Sequence, residues 1–235
     1  MLTVFIFNFI ICLGDTMYNC AIEILSEINE LGYEAYIVGG YCRDLYLGNF
    51  SDDIDICTNA KYDDLKDYFS ITKGNFGSMV LKYEDYKFEV TTFRKEGEYD
   101  KNRFPKKVEF VDTLEEDLKR RDFIINTLCI DKNGEFIDLL GAKDDLDNKI
   151  IKCVGICDYK ISQDILRSLR AIRFATILNF KIDDELKESI KKYSYLLANL
   201  SDKRKKEEID KILNSDNKEY GLSLMKELGL DLYLK

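Results

Sequence analysis

Gly39-Gly40 stands between a short apolar run, Tyr36–Val38, and Tyr-Cys-Arg43-Asp44, and Asp53-Ile54-Asp55 follows nine residues after Asp44. A glycine pair where a strand turns into a helix presents backbone N–H groups that bind phosphate with the help of the helix dipole. The missing side chains let a triphosphate approach closely. Arg43, on the first helical turn, can add a charge-assisted bond, and Asp44 suits a structural partner for a nearby donor. Asp53 and Asp55, two apart on a strand, leave by the same face. Glu89, within Phe88–Thr92, joins them if its strand is adjacent. Three converging carboxylates would hold two Mg²⁺ ions, one to activate an attacking hydroxyl and one to stabilise a leaving pyrophosphate. Taken alone, Asp-x-Asp also suits an exposed edge strand, and Gly-Gly suits a plain turn. Their succession is the specific signal.

Two further clusters carry polar chemistry. In Arg120-Arg121-Asp122-Phe123-Ile124-Ile125-Asn126, Arg121 and Asn126 could reach a triphosphate and a ribose; an ordinary helix surface with Phe123 buried is the other reading. In Gln163-Asp164-Ile165-Leu166-Arg167-Ser168-Leu169-Arg170-Ala171-Ile172-Arg173, Ile165, Leu169 and Ile172 form one apolar stripe. Asp164, Arg167 and Arg170 then share an adjacent arc, with Arg173 rotated further. An acceptor beside a planar donor fork can read the edge of a base; ion pairing on a helix surface uses the same spacing.

The elements that must position these residues follow from periodicity. Ala21, Ile24, Leu25, Ile28 and Leu31 predict a helix closed by Gly32. Tyr36–Val38 predicts a buried strand, Tyr41–Leu47 a short helix ended by Gly48, and Asp53–Cys57 a strand. Thr58 or Asn59 is expected to cap a helix running through Phe69. Ser78–Tyr83 and Tyr86–Phe93 predict a hairpin around Glu84-Asp85. Arg94–Lys107, which contains the only proline, Pro105, predicts a mobile loop between strands. Val108–Val111 predicts a strand, Thr113 a helix cap, and Arg121–Asp138 a helix passing into two strands that turn at Asn133-Gly134. Beyond Ser162 the pattern is helical. The fold class is α+β, a mixed front part of about 150 residues followed by helices.

Composition narrows the chemistry. The 235 residues are 46% hydrophobic and 34% charged, which suits a folded soluble chain of one or two domains. There is no histidine, so histidine bases and histidine metal ligands are excluded, and metal chemistry must use carboxylates, pointing to Mg²⁺. The net charge of −9 is uneven: acids outnumber bases in residues 1–150, and bases outnumber acids in 151–235, where a polyanion could dock. The seven cysteines contain no CxxC pair, which suits free thiols in a reducing cytoplasm. The apolar residues 1–13 are too short to span a bilayer and lack the basic start of a secretory signal. The expectation is an upstream extension over residues 1–16, outside the fold, with the start at Met17 and no membrane association; a weak anchor is the alternative.

Gly39-Gly40-x-x-Arg43-Asp44, Asp53-x-Asp55, Arg120-Arg121-Asp122-x-x-x-Asn126 and Asp164-x-x-Arg167-x-x-Arg170-Ala-x-Arg173-Phe occur in this order. Together they resemble the class II tRNA nucleotidyltransferases (CCA-adding enzymes) and bacterial poly(A) polymerases of the polymerase β superfamily, from about Tyr18 to about Leu234. The resemblance implies a polymerase β-type head, a mixed sheet with flanking helices over 17–150, and an all-helical neck over 151–235. It implies transfer of CMP and AMP from CTP and ATP to the 3′ end of tRNA. Asp53, Asp55 and Glu89 become the catalytic, Mg²⁺-binding acids; Gly39, Gly40, Arg43, Arg121 and Asn126 become triphosphate and ribose contacts. Asp164 and Arg167 become the amino-acid template that pairs with the incoming base, and Arg170 and Arg173 additional nucleotide contacts. Arg94–Pro105 is similar to the family's flexible loop, which is associated with adding the terminal A.

Two departures stand out. The family has Glu before the templating Asp, where this chain has Gln163. Relatives also continue into a helical body and tail that grip tRNA, and these are expected to be absent here. Two rivals follow: a poly(A) polymerase acting on other RNA 3′ ends, and a nucleotide-binding half of a split enzyme whose body is a separate polypeptide.

Overall fold

Apolar side chains at helical spacing bury one side of α1 (Thr16–Glu30) through Tyr18, Cys20, Ala21, Ile24, Leu25 and Ile28. Gly32, at φ 91°, ends the turn that follows. The computed structural model describes residues 16–97 and 107–233. Among these, the chain forms two compact units: the first gathers 16–97, Lys107–Arg121 and Asn126–Ala142, the second Asp122–Ile125 and 143–233.

The first unit is built on a seven-stranded sheet. Its strands are β1 (Ala35–Val38), β2 (Asp55–Thr58), β3 (Ser70–Lys73), β4 (Ser78–Tyr83), β5 (Tyr86–Thr92), β8 (Cys129–Ile130) and β9 (Phe136–Ile137), in the order β3-β4-β5-β2-β1-β8-β9. All neighbours run antiparallel except β2 and β5, which are parallel. A separate ribbon pairs β6 (Arg94–Glu96) with β7 (Val108–Phe110). Helices α2 (Gly40–Tyr46), α3 (Tyr62–Leu65) and α4 (Leu114–Leu118) complete the unit. One core cluster joins Val38, Cys57 and Cys129 of three adjacent strands to Leu114 and Leu118 of α4, with Phe93 and Val111.

The second unit holds α5 (Ala142–Asp147) from its second residue on, α6 (Cys157–Gln163), α7 (Leu166–Leu178), α8 (Asp184–Tyr193), α9 (Asp202–Leu213) and α10 (Lys218–Glu227). Two short strands, β10 (Ile150–Ile151) and β11 (Lys181–Ile182), pair in parallel. A Cβ at Gly221 would collide with Thr176 Oγ1 and lie 2.6 Å from Ile212 Cγ2, so the glycine lets α10 press against α7 and α9. Among the described residues no helix is long and apolar enough to cross a membrane.

Several expectations need correction. The helix after Asn59 is only α3, capped at Lys61, and Ser70–Lys73 is an edge strand held to β4 by backbone pairing rather than by apolar pattern. The root of the expected 94–107 loop is the β6–β7 ribbon, with Gly97 N donating to Lys107 O; residues 98–106 lie outside the described residues, as do 1–15. Thr16, expected outside the fold, opens α1. Lys181 N and Asp183 N bond to Lys149 O and Ile151 O and hold the β10 segment within the second unit. Asp122–Ile125 also belongs there: Ile124 N donates to Lys152 O, and Val154 N to Asp122 O. The region beyond Ser162 is not wholly helical, since β11 interrupts it.

Candidate active site

The parallel pairing of β2 with β5 sets Asp55 directly opposite Glu89 in register. The adjacency on which Glu89 depended is therefore met. Asp53 lies two residues before the strand begins, on an exposed approach, rather than on β2 itself. Burial pushes the Asp55 carboxyl up to about 6, and repulsion from Asp53 and Glu89 adds to this while Arg121 and Arg120 oppose it. Carboxylates that repel one another in this way are what a hard divalent cation would relieve. Among the described residues, no group of three or more Asp, Glu, Cys or His is gathered closely enough to hold a metal ion.

The glycine turn follows β1 without a break. Gly39 adopts φ 88° and ψ −132°, a region closed to side-chain-bearing residues, and its carbonyl accepts from Arg43 N at 3.2 Å. A Cβ on Gly39 would sit 3.6 Å from Arg121 Nη1 and 3.8 Å from Asp55 Oδ2. A cation and a carboxylate thus both stand within 4 Å of the place a side chain on Gly39 would take. On Gly40 a Cβ would lie 3.7 Å from Arg43 Nη2.

Arg43 is buried at 8% exposure and held by a fork: Nε and Nη2 donate to the two Asp44 carboxylate oxygens, each at 2.8 Å. Its Nη1 donates to Asn126 Oδ1, also at 2.8 Å, so Asp44 and Asn126 orient the guanidinium. Burial works against the Arg121 charge, but Asp117 foremost among its neighbours, with Asp55, holds that guanidinium above its usual range. Asp117 is fully buried and lies 3.6 Å from Arg121 Nη2. Sequence reasoning missed Asp117, the third acid of Glu115-Glu116-Asp117, because its burial rests on partners distant in the chain.

In the second unit, Asp164 is not on the helix of Arg167. It is an extended residue between α6 and α7, and its Oδ1 accepts from Leu166 N at 3.2 Å. The single-helix arc expected for Asp164, Arg167 and Arg170 is therefore broken at its first member, by an Asx-type turn that competes with the helix. Arg167 follows one turn later, buried, with Nη1 donating to Lys160 O at 2.8 Å. Arg204 Nη2 stands 3.6 Å from Asp164 Oδ1. Arg170 pairs with Asp122 through Nε at 2.7 Å, and Arg173 Nε lies 2.6 Å from Glu208 Oε2 with its guanidinium 4.2 Å from the Phe174 ring centre. Burial works against the Arg170 charge and Asp122 outweighs it, raising its pKa; at Arg173 burial prevails over Glu208 and lowers it. Gln163 ends α6, half-buried.

Comparison with known proteins follows these elements. Residues 35–152 match the family model described as "Poly A polymerase head domain", and residues 179–234 match "Probable RNA and SrmB- binding site of polymerase A". A CCA-adding enzyme of Geobacillus thermodenitrificans is 40% identical over 217 residues, covering 91% of this chain and 54% of the relative. One from Bacillus pumilus is 44% identical over 196 residues, covering 82% and 49%. The crystal structure of the Bacillus stearothermophilus CCA-adding enzyme in complex with CTP superposes with a TM-score of 0.86 at 34% identity, covering 94% of this chain and 54% of that one. The chain thus spans about half the length of the curated relatives it matches. Half of its residues match the head-domain model, with the glycine turn and the paired carboxylates inside the matched stretch, and the chain belongs to the poly A polymerase head-domain family.

Proposed function

We propose that this chain carries nucleotidyl transfer of the CCA-adding type, joining CMP and AMP from CTP and ATP to the 3′-hydroxyl of tRNA. The hydroxyl oxygen bonds to the α-phosphorus, the bond from that phosphorus to the bridging oxygen breaks, pyrophosphate leaves, and the hydroxyl proton passes to solvent. The observation that supports this reading most is the pairing of Asp55 with Glu89 beside the Gly39 turn and Arg121.

The roles divide by residue. Gly39 and Gly40 leave room for the triphosphate, and Arg121 neutralises it. Arg43, oriented by Asp44 and Asn126, adds a second cation. Asp53, Asp55 and Glu89 are all-oxygen donors of the kind that suits Mg²⁺. Asp55 and Glu89, paired in register, would hold the metal, and bound Mg²⁺ would lower the pKa of the attacking hydroxyl and stabilise the leaving pyrophosphate. Asp164 and Arg167 choose the base, with their polar edges fixed by Leu166 N and Lys160 O. Arg170 and Arg173 brace α7 through Asp122 and Glu208, and nucleotide contact by either is a further part of this reading. The setting is the cytoplasm, where the six described cysteines, all buried and free, stay reduced.

The test is incorporation of labelled CTP and ATP into tRNA lacking its 3′ end. Addition that stops after the missing nucleotides supports the reading; long A tracts on generic RNA would replace it with poly(A) polymerase. A second reading is that this chain binds nucleotide but transfers it only with a separate polypeptide that supplies the RNA grip. CTP binding without incorporation, restored by adding a helical partner, would select it.

A further inference from the structure

Asp117 is a carboxylate with no exposure, placed where no sequence motif called for one. Its Oδ1 accepts from Arg94 N at 3.1 Å and from Arg120 Nε at 2.8 Å. Its Oδ2 stands 3.6 Å from Arg121 Nη2. Arg94 is the first residue of β6, so the ribbon is tied to this carboxylate by its own backbone. The ribbon is tied a second time through Glu96: Arg94 donates to Glu96 Oε1 from Nε at 3.1 Å and Nη2 at 2.7 Å, and Arg120 Nη1 lies 3.6 Å from the same oxygen. One buried anion thus joins the root of the β6–β7 ribbon to the guanidinium that borders the Gly39 turn.

We propose that Asp117 is a positioning residue that holds the Arg121 guanidinium against the Gly39 turn and makes triphosphate affinity depend on the placement of the β6–β7 ribbon. The inference rests on the reading that Arg121 contacts the triphosphate. The physical reason is that an arginine side chain has many rotamers, and a fixed anion behind it leaves one of its nitrogens aimed at the turn. Because the other oxygen of the same carboxylate is committed to Arg94 N and Arg120, a shift of the ribbon's first residue moves the anion that Arg121 follows. Asp117 touches no substrate in this arrangement; its effect passes through Arg121 and is the same for CTP and ATP.

The experiment is a double-mutant cycle on the full chain, reading CTP and ATP dissociation constants in Mg²⁺ by titration calorimetry, with thermal melting as the control for folding. Asp117→Asn keeps the volume but turns a donor toward Arg121. It is expected to weaken both nucleotides by about tenfold, the effect of removing the buried anion that faces Arg121 Nη2 at 3.6 Å. In an Arg121→Ala background the same change is expected to weaken them by less than about twofold, the mark of coupling. An equal loss in both backgrounds, or no loss in the parent chain, would overturn the proposal. Arg121→Ala with unchanged affinity would instead overturn the triphosphate role of Arg121. Should Asp117→Asn not fold, Glu96→Gln tests the ribbon side: a loss of a few-fold that vanishes with Arg121→Ala supports the link, and unchanged affinity contradicts it.

Discussion

Asp55 and Glu89 sit opposite one another across the only parallel strand pair among the described strands of the first unit's sheet, and the Asp55 carboxyl is pushed up to about 6. Burial is the largest cause, with Asp53 next. A protein that only had to be stable would not keep these charges together.

The charge of Asp55 therefore destabilises the metal-free fold above pH 6. A carboxyl whose folded pKa exceeds its unfolded value favours the folded state when protonated, so stability falls as pH rises from about 4 to about 6 and is level beyond. Asp55→Asn is expected to raise the melting temperature at pH 7.5 by a few degrees, for a gain of about 1–2 kcal/mol, and to leave it unchanged at pH 4. Melting curves in chelator at both pH values check this.

Gly39→Ala meets a closed backbone region and narrows the approach to the turn. With φ at 88° the alanine is strained, and its Cβ would lie in van der Waals contact with Arg121 Nη1 at 3.6 Å, in the space a triphosphate would enter. The expected cost is about 1–3 kcal/mol of stability with a loss of CTP binding. Gly32→Ala, also at positive φ but with nothing within 4 Å of the added Cβ, should cost stability alone. Parallel denaturant melts and CTP titrations separate the two.

Arg43→Lys keeps the charge and loses the fork. Lysine cannot span both Asp44 oxygens and Asn126 Oδ1 as the guanidinium does at 2.8 Å each. Stability is expected to fall by about 1–3 kcal/mol, since a buried charge pair loses its geometry. A chemical denaturation series on the variant and on Asp44→Asn measures it.

Arg167→Ala is expected to blur the choice between CTP or ATP and GTP or UTP by about tenfold while changing CTP affinity less. Competition among the four labelled nucleotides reads both quantities, and an equal loss for every nucleotide with selectivity intact would argue against a template role.

The parts legible in the sequence were those fixed over short distances. The Gly39-Gly40 turn, α1, β1 and the β4–β5 hairpin all carry their signals within a few residues, and the strand holding Glu89 proved to be the neighbour of β2. What escaped depends on partners far along the chain. Asp117 reads as one more surface acid, yet it is buried because Arg94 N, twenty-three residues away, needs an acceptor. The strand Ser70–Lys73 is polar and lies at the sheet edge, where backbone pairing alone defines it. The break at Asp164 carries no glycine or proline; the side chain's bond to Leu166 N makes it. The pairing of β10 with β11 spans two residues each, too short for any periodicity.

The decisive assay is Mg²⁺-dependent incorporation of labelled CMP into tRNA lacking its 3′ end, by the wild-type chain and Asp55→Asn side by side. Carboxylate-dependent nucleotidyl transfer requires incorporation by the wild type, alone or with a partner supplying the RNA grip, and none above background by a folded Asp55→Asn. Incorporation by Asp55→Asn at the wild-type rate would contradict it.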